Sequence, residues 1–189
     1  MEEPALMERI LAVTADDLPY SWNPACPVSW RELALVQFTH VDFQGRLGEG
    51  SLVVLAELAP AVLEIMDLAL TLRFPIHSAV PIDAFFGDDD ASMSANNSSG
   101  FNFRPIAGTS ELSLHSLGRA VDINPVLNPY QEHDLRWSPP EGVRHLDRSK
   151  PVPGMFTPGH PMVAAFEEHG FEWGGSWERP DYHHFQVAP

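Results

Sequence analysis

Ser113-Leu114-His115-Ser116-Leu117-Gly118-Arg119-Ala120-Val121-Asp122-Ile123-Asn124-Pro125 is the stretch on which the reading of this chain turns. Residues 119–123 alternate in character as a strand does, so Ala120 and Asp122 share one face while Val121 and Ile123 share the other. An aspartate between two β-branched apolar residues points from such a strand at something polar. Gly118 permits a close approach that brings His115 back over the strand, and the small Ala120 leaves room beside Asp122. A neutral imidazole and a carboxylate are good zinc ligands, but a catalytic zinc needs a third protein ligand and an open position for water.

A third ligand is available near the other end of the chain, in Asp181-Tyr182-His183-His184-Phe185-Gln186. Tyr182, His184 and Gln186 alternate with His183, Phe185 and Val187, so one of the two adjacent histidines faces inward. In a regular strand Asp181 and His184 would point to opposite faces, which places Asp181 in the turn just before the strand. From there it can serve a metal-activated water as general base. The other histidines read as ordinary. His169 suits a helix C-terminus, His133, His145 and His160 lie in polar, proline-rich sequence and are expected to be exposed, and His40 and His77 border apolar segments as satisfied core residues.

Outward from these motifs, Ser51–Ala56 (SLVVLA) reads as a buried strand. From Pro60 to Arg73, Val62, Ile65, Met66, Ala69 and Leu70 recur at helical spacing, with Pro60 in the first turn and Phe74-Pro75 as the stop. Ile76 to Asp83 is expected to be a strand, and residues 87–100, small and polar, a loop. The three aspartates at 88–90 lack the alternating spacing of a calcium loop and read as a solvated turn. Six prolines within 137–161 predict a long irregular excursion without regular pairing. Pro161 to His169 reads as a short helix and Tyr182 to Val187 as the last strand. Residues 1–50 are mixed, with short apolar clusters. Helices early and strands late fit an α+β fold better than an alternating one.

At 189 residues, 44% hydrophobic and 20% charged, the chain is sized and composed for one globular domain spanning 1–189, with 1–20 as a peripheral N-terminal extension. No apolar run approaches the ~20 residues of a membrane helix, so no membrane insertion is expected. The acidic start MEEPALMERILAV lacks the basic region of a secretory signal, which points to the cytoplasm or to release by lysis or another route. A net charge of −15 argues against nucleic acid, which is bound through clustered Lys and Arg. The single cysteine, Cys26, excludes an intramolecular disulfide and reads as a small buried thiol, so a zinc site must be built from His and carboxylates. A monomer is expected.

The paired motifs resemble a known family. Ser-Leu-His115-Ser-Leu-Gly118-Arg-Ala120-Val-Asp122 matches the Ser-x-His-x-x-Gly-x-Ala-x-Asp signature of the D-alanyl-D-alanine carboxypeptidase (VanY-like) family of zinc peptidases, and Asp181-Tyr-His-His184 matches its acid-x-x-His ending. The segment Gly170–Trp177 resembles what precedes that ending. Ser92–Asn97 and Phe101–Pro105 resemble a subgroup in which asparagines and an arginine lead into the histidine motif. The resemblance implies a small antiparallel sheet with flanking helices, of the Hedgehog/DD-peptidase type. It implies zinc held by His115, Asp122 and His184, Asp181 as catalytic base, and Arg104 steadying charge on the scissile carbonyl. Ser113, Trp177 and Asn97 complete the candidate site as substrate contacts, although Trp173 and Trp177 read equally well as packing. Asn124 and Asn128 fix the turns around Pro125 and Pro129. An aspartate in place of the commoner glutamate base resembles the L-alanyl-D-glutamate endopeptidases. His183 departs from the pattern, since glutamine is common there. The implied substrate is a peptidoglycan peptide cut next to a D-amino acid. A zinc amide hydrolase acting on another peptide and a non-catalytic zinc domain are the competing readings, and the presence of Asp181 and Arg104 argues against the second.

Overall fold

The computed structural model describes residues 6–106 and 108–189. Its first layer is an antiparallel sheet of β1 (Glu8–Ala12), β2 (Leu33–Val41) and β3 (Leu47–Leu55) in that order. β2 and β3 pair over their whole length, Leu33 against Leu55 and Val41 against Leu47. Asp42 closes their turn, its Oδ1 accepting from the N–H groups of Gln44 and Arg46 at 2.8 and 2.9 Å. Alternation then sorts the side chains. Ala34, Val36 and Phe38 with Leu52 and Val54 face one core, while Leu33 and Val53 face a smaller cluster with Val13, Leu18 and Phe101.

The main face is covered by α1 (Ala59–Thr71), which buries Val62, Ile65, Met66 and Ala69. Its end matches the reading from Phe74-Pro75: Arg73 adopts a positive φ of 53°, and the Phe74 N–H closes on the Ala69 carbonyl at 2.8 Å. The expected strand at 76–83 shrinks to β4 (Ser78–Ala79), because Pro81 has no N–H for a ladder and a 3-10 turn follows at Ile82–Phe85. The expected loop at 87–100 instead contains α2 (Asp89–Ser94) and β5 (Asn97–Ser98), the latter parallel to β4. Asp88 is the reason, since its Oδ1 caps the Ala91 N–H at 3.0 Å.

The second layer carries the motifs. β6 (Ala120–Asp122) is followed by the short hairpin of β7 (Tyr130–Gln131) and β8 (Trp137–Ser138), by α3 (Pro161–Glu168), and by β9 (Glu172–Trp173) and β10 (His184–Gln186). β10 lies between β6 and β9, antiparallel to both. Val121 and Phe185 enter the main core, where Phe185 stacks on Phe166 of α3 at 3.8 Å between centroids. The opposite face of the same strands is left for polar groups.

The architecture is mixed helix and sheet, with small antiparallel sheets and few helices, as α+β requires. The order of elements differs from expectation. The longest strands come first, at 33–55, and the late strands have two or three residues each. The excursion at 137–161 is irregular except for the pairing of Trp137–Ser138 and a 3-10 turn over Pro140–His145. Among the described residues no helix is long and apolar enough to cross a membrane.

Candidate metal centre

The segment 97–104 joins the two layers and shapes the site. Phe101 N–H bonds the Val53 carbonyl of β3 at 2.7 Å, and Ser99 exchanges backbone hydrogen bonds with Asp122 at 2.9 and 2.8 Å. A side chain at Gly100 would meet the Val53 oxygen at 2.2 Å, so only glycine passes there. Ser113 then starts the 3-10 turn Leu114–Leu117, its hydroxyl accepting from the His115 N–H at 3.2 Å. Gly118 ends that turn at φ 65°, where a Cβ would lie 2.6 Å from the Leu55 nitrogen. The chain thus turns sharply into β6, with His115 held over Asp122.

The β6–β10 register sets His184 directly opposite Asp122. His184 Nδ1 lies 2.9 Å from Asp122 Oδ1, His115 Nε2 lies 3.1 Å from Asp122 Oδ2, and the two ring nitrogens are 3.2 Å apart. All three residues are buried, and one ligand atom from each falls within 4.8 Å of the others, a cluster able to hold a metal ion. The remaining ring nitrogens fix the tautomers. The Gly100 carbonyl, 2.6 Å from His115 Nδ1, can only accept, so that nitrogen carries hydrogen and Nε2 is the one left to face the cluster. The Gln186 amide donates to Glu172 Oε2 at 3.2 Å, which turns its Oε1 to His184 Nε2 at 3.0 Å and leaves His184 Nδ1 facing the cluster. Two imidazoles and one carboxylate are a donor set suited to a divalent metal.

Charge is balanced within the cluster. Burial acts to raise the Asp122 carboxyl, but His115 and His183 beside it, with hydrogen bonds from His115 and His184, hold it well below the usual range. Burial acts to lower His184, and the hydrogen bond and charge of Asp122 outweigh it, raising the imidazole to about 9.

Asp181 sits just before β10, as its spacing predicted, bridged to Tyr130 and with its N–H on the Gly174 carbonyl at 2.9 Å. Burial raises its carboxyl above the ordinary range, opposed by the charges of His183 and His184. His183 Nε2 approaches Asp181 Oδ1 at 3.2 Å but is not aligned for a hydrogen bond, and among the described residues that buried oxygen has no hydrogen-bond partner. The expectation that only one histidine turns inward needs correction, because both are buried. β10 begins at His184, so the bend at 182–183 frees His183 from strand alternation. Its Nδ1 is engaged by the Asn128 carbonyl at 2.8 Å, and its Nε2 stands 3.7 Å from Asp122.

A groove of about 990 Å³ opens over the cluster, and Arg104, Ser113, Trp177 and Asp181 all line it. Trp177 leans on the His184 ring at 5.6 Å and donates to Glu172 at 2.7 Å. The structure does not bring Asn97 to this groove. Its amide is fully buried, accepting from Ser78 Oγ and Val80 N–H and donating to Val80 O and Ser92 Oγ, which leaves nothing for a substrate. Asn124 and Asn128 fix turns as expected: each donates to the Gly154 carbonyl, and the Asn124 Oδ1 accepts from the His77 N–H. His160, expected to be exposed, caps α3 through Nδ1 on the Met162 N–H at 3.1 Å, and His77, read as core, is exposed.

Several site residues escaped the sequence reading. Gln186 was detectable, since it shares a strand face with His184. The Gly100 carbonyl carries no side-chain signal, and Asp89, which meets Arg104, lay in what read as a solvated turn.

Comparison with known families agrees with this geometry. Residues 107–187 match the family model described as D-alanyl-D-alanine carboxypeptidase, the VanY-like zinc peptidases, a span that contains His115, Asp122, Asp181 and His184. The match supports a peptidase and a peptide substrate. No curated protein and no solved structure gives a match to the chain.

Proposed function

We propose that this protein is a zinc peptidase that hydrolyses an amide bond next to a D-amino acid in peptidoglycan stem peptides, acting as a monomeric single domain of the Hedgehog/DD-peptidase type. The observation that carries the reading is the convergence of His115 Nε2, Asp122 and His184 Nδ1 beside a carboxylate, Asp181, whose buried oxygen accepts no hydrogen bond among the described residues. A structural metal site needs no such group. When bound, zinc supplies Lewis acidity that lets water ionise near neutral pH.

The chain's own residues would do the rest. Asp181, raised above the ordinary carboxylate range, takes the proton of the attacking water and passes it to the leaving amine. Arg104 donates hydrogen bonds to the carbonyl oxygen as negative charge develops on it. Ser113 holds the turn that carries His115, and Trp177 forms a wall beside His184 against which a peptide can lie. The test is hydrolysis of purified muropeptides by the protein as prepared, after chelation, and after zinc is restored, with products identified by mass. Zinc-dependent release of a fragment cut beside D-alanine or D-glutamate is expected. Equal cleavage of casein and wall peptides would contradict the substrate, and activity untouched by chelation would contradict the metal.

A further inference from the structure

The aspartate run at 88–90 has no role in the hydrolysis described above, yet the fold gives it a definite position. Asp88 caps α2, and Asp89 in the first turn of that helix reaches Arg104, Oδ2 to Nη2 at 2.7 Å. Both residues line the groove over the metal cluster. Two sets of bonds prepare this meeting. The Arg104 backbone is pinned to the turn that carries His115: its N–H donates to Ser116 Oγ at 2.9 Å, and that hydroxyl donates to the Arg104 carbonyl at 2.7 Å. α2 is tied down by Asn97, whose amide bonds Ser92 Oγ at 3.0 Å while holding Ser78 and Val80 of the β4 segment. The buried asparagine therefore bears on the groove indirectly, by fixing the helix that presents Asp89.

We infer that Asp89 is a positioning residue that holds the Arg104 guanidinium over the groove and away from the site's own carboxylates. The Arg104 side chain has little else to hold it. Among the described residues Nη1 reaches the Pro105 carbonyl alone, at 3.4 Å, and the buried Nε has no hydrogen-bond partner. Without Asp89, a free guanidinium in this groove is attracted to Asp122 and Asp181, the carboxylates on which metal binding and proton transfer depend. Among the described residues Arg104 is ion-paired with Asp89 and with neither of those two. The pair is 25% and 22% exposed at its two side chains, so water still reaches it and screens what it adds to folding stability. Its consequence is therefore geometric.

The kinetic part of this inference rests on the proposed hydrolysis, so the test has an arm that does not. Arg104 modification by phenylglyoxal is followed by peptide mapping in the zinc-loaded protein. Asp89→Asn should raise its rate at least about fivefold, and Asp89→Glu should restore most of the protection, because the charged carboxylate holds the fork. An unchanged rate in Asp89→Asn overturns the inference even if no peptide substrate is ever cleaved. On a cleaved muropeptide, Asp89→Asn should lower kcat about tenfold or more with KM within about twofold, since the affected contact forms as charge develops. In an Arg104→Ala background the same change should cost less than about twofold. A similar loss of kcat in both backgrounds, or a fall in melting temperature that accounts for it, would mean that Asp89 acts only through α2.

Discussion

Asp122 and His184 are cross-strand partners, residues 62 apart in sequence that the β6–β10 register sets face to face, with Oδ1 and Nδ1 2.9 Å apart. That pairing sets His184 in the cluster able to hold a metal ion, a cluster that its neighbour His183 does not join. His184→Ala should abolish stoichiometric zinc, and His183→Ala should largely retain it, because His183 spends Nδ1 on the Asn128 carbonyl and lies outside the 4.8 Å cluster. Elemental analysis of both variants decides it. The reverse result would mean that the pairing is shifted by one residue.

The raised His184 links metal binding to pH. In metal-free protein its imidazole titrates at about 9 instead of 6.5, so at neutral pH a proton occupies the nitrogen that faces the metal. Zinc must displace that proton, and its affinity should climb about tenfold per pH unit between pH 7 and 9, then level off. The same shift stabilises the metal-free fold below pH 6.5 and is lost as pH rises through about 9. Competition titrations with a chelator, and melting curves in its presence, measure the two effects. A zinc affinity flat across this range would contradict the assignment.

Asp181 is expected to separate chemistry from metal binding. Asp181→Asn keeps the size of the side chain but cannot accept a proton. It should retain zinc and melting temperature near the parent values while turnover falls at least ~100-fold. Loss of zinc in this variant would make Asp181 a ligand, and retention of full turnover would move the base elsewhere, with Glu172 and Glu178 the next carboxylates to examine.

Gln186 orients His184 from behind. Gln186→Leu removes the acceptor on Nε2 and unties the bond to Glu172. Zinc affinity should fall by about 10- to 100-fold, as for other residues that buttress a metal ligand, with little change in far-ultraviolet circular dichroism. Unaltered affinity would show that the strand alone orients the ring.

Local sequence carried a good deal of this. The alternation at 119–123 placed Ala120 and Asp122 together, the 3.6-residue recurrence at 60–73 anticipated α1, and spacing set Asp181 outside the last strand. Each of these is decided by neighbouring residues. The 33–41 strand was missed because both of its faces are covered, so it lacks a clean polar alternation, and α2 because six residues are too few for periodicity to register against a polar composition.

The kinds of donor available, and the short segments that carry them, follow from the order of residues alone, because side-chain chemistry and backbone periodicity belong to consecutive residues. Which atoms meet is set by the fold. His115 and His184, 69 residues apart, meet because Gly100 and Gly118 let the chain pass against β3 and because β10 pairs with β6 in one register. The tautomer of His115 depends on a backbone carbonyl that any residue type would carry, and the partner of Arg104 on a short helix that Asp88 caps. Hydrogen bonds of that kind are set by non-local packing, which leaves no pattern in the residues that make them.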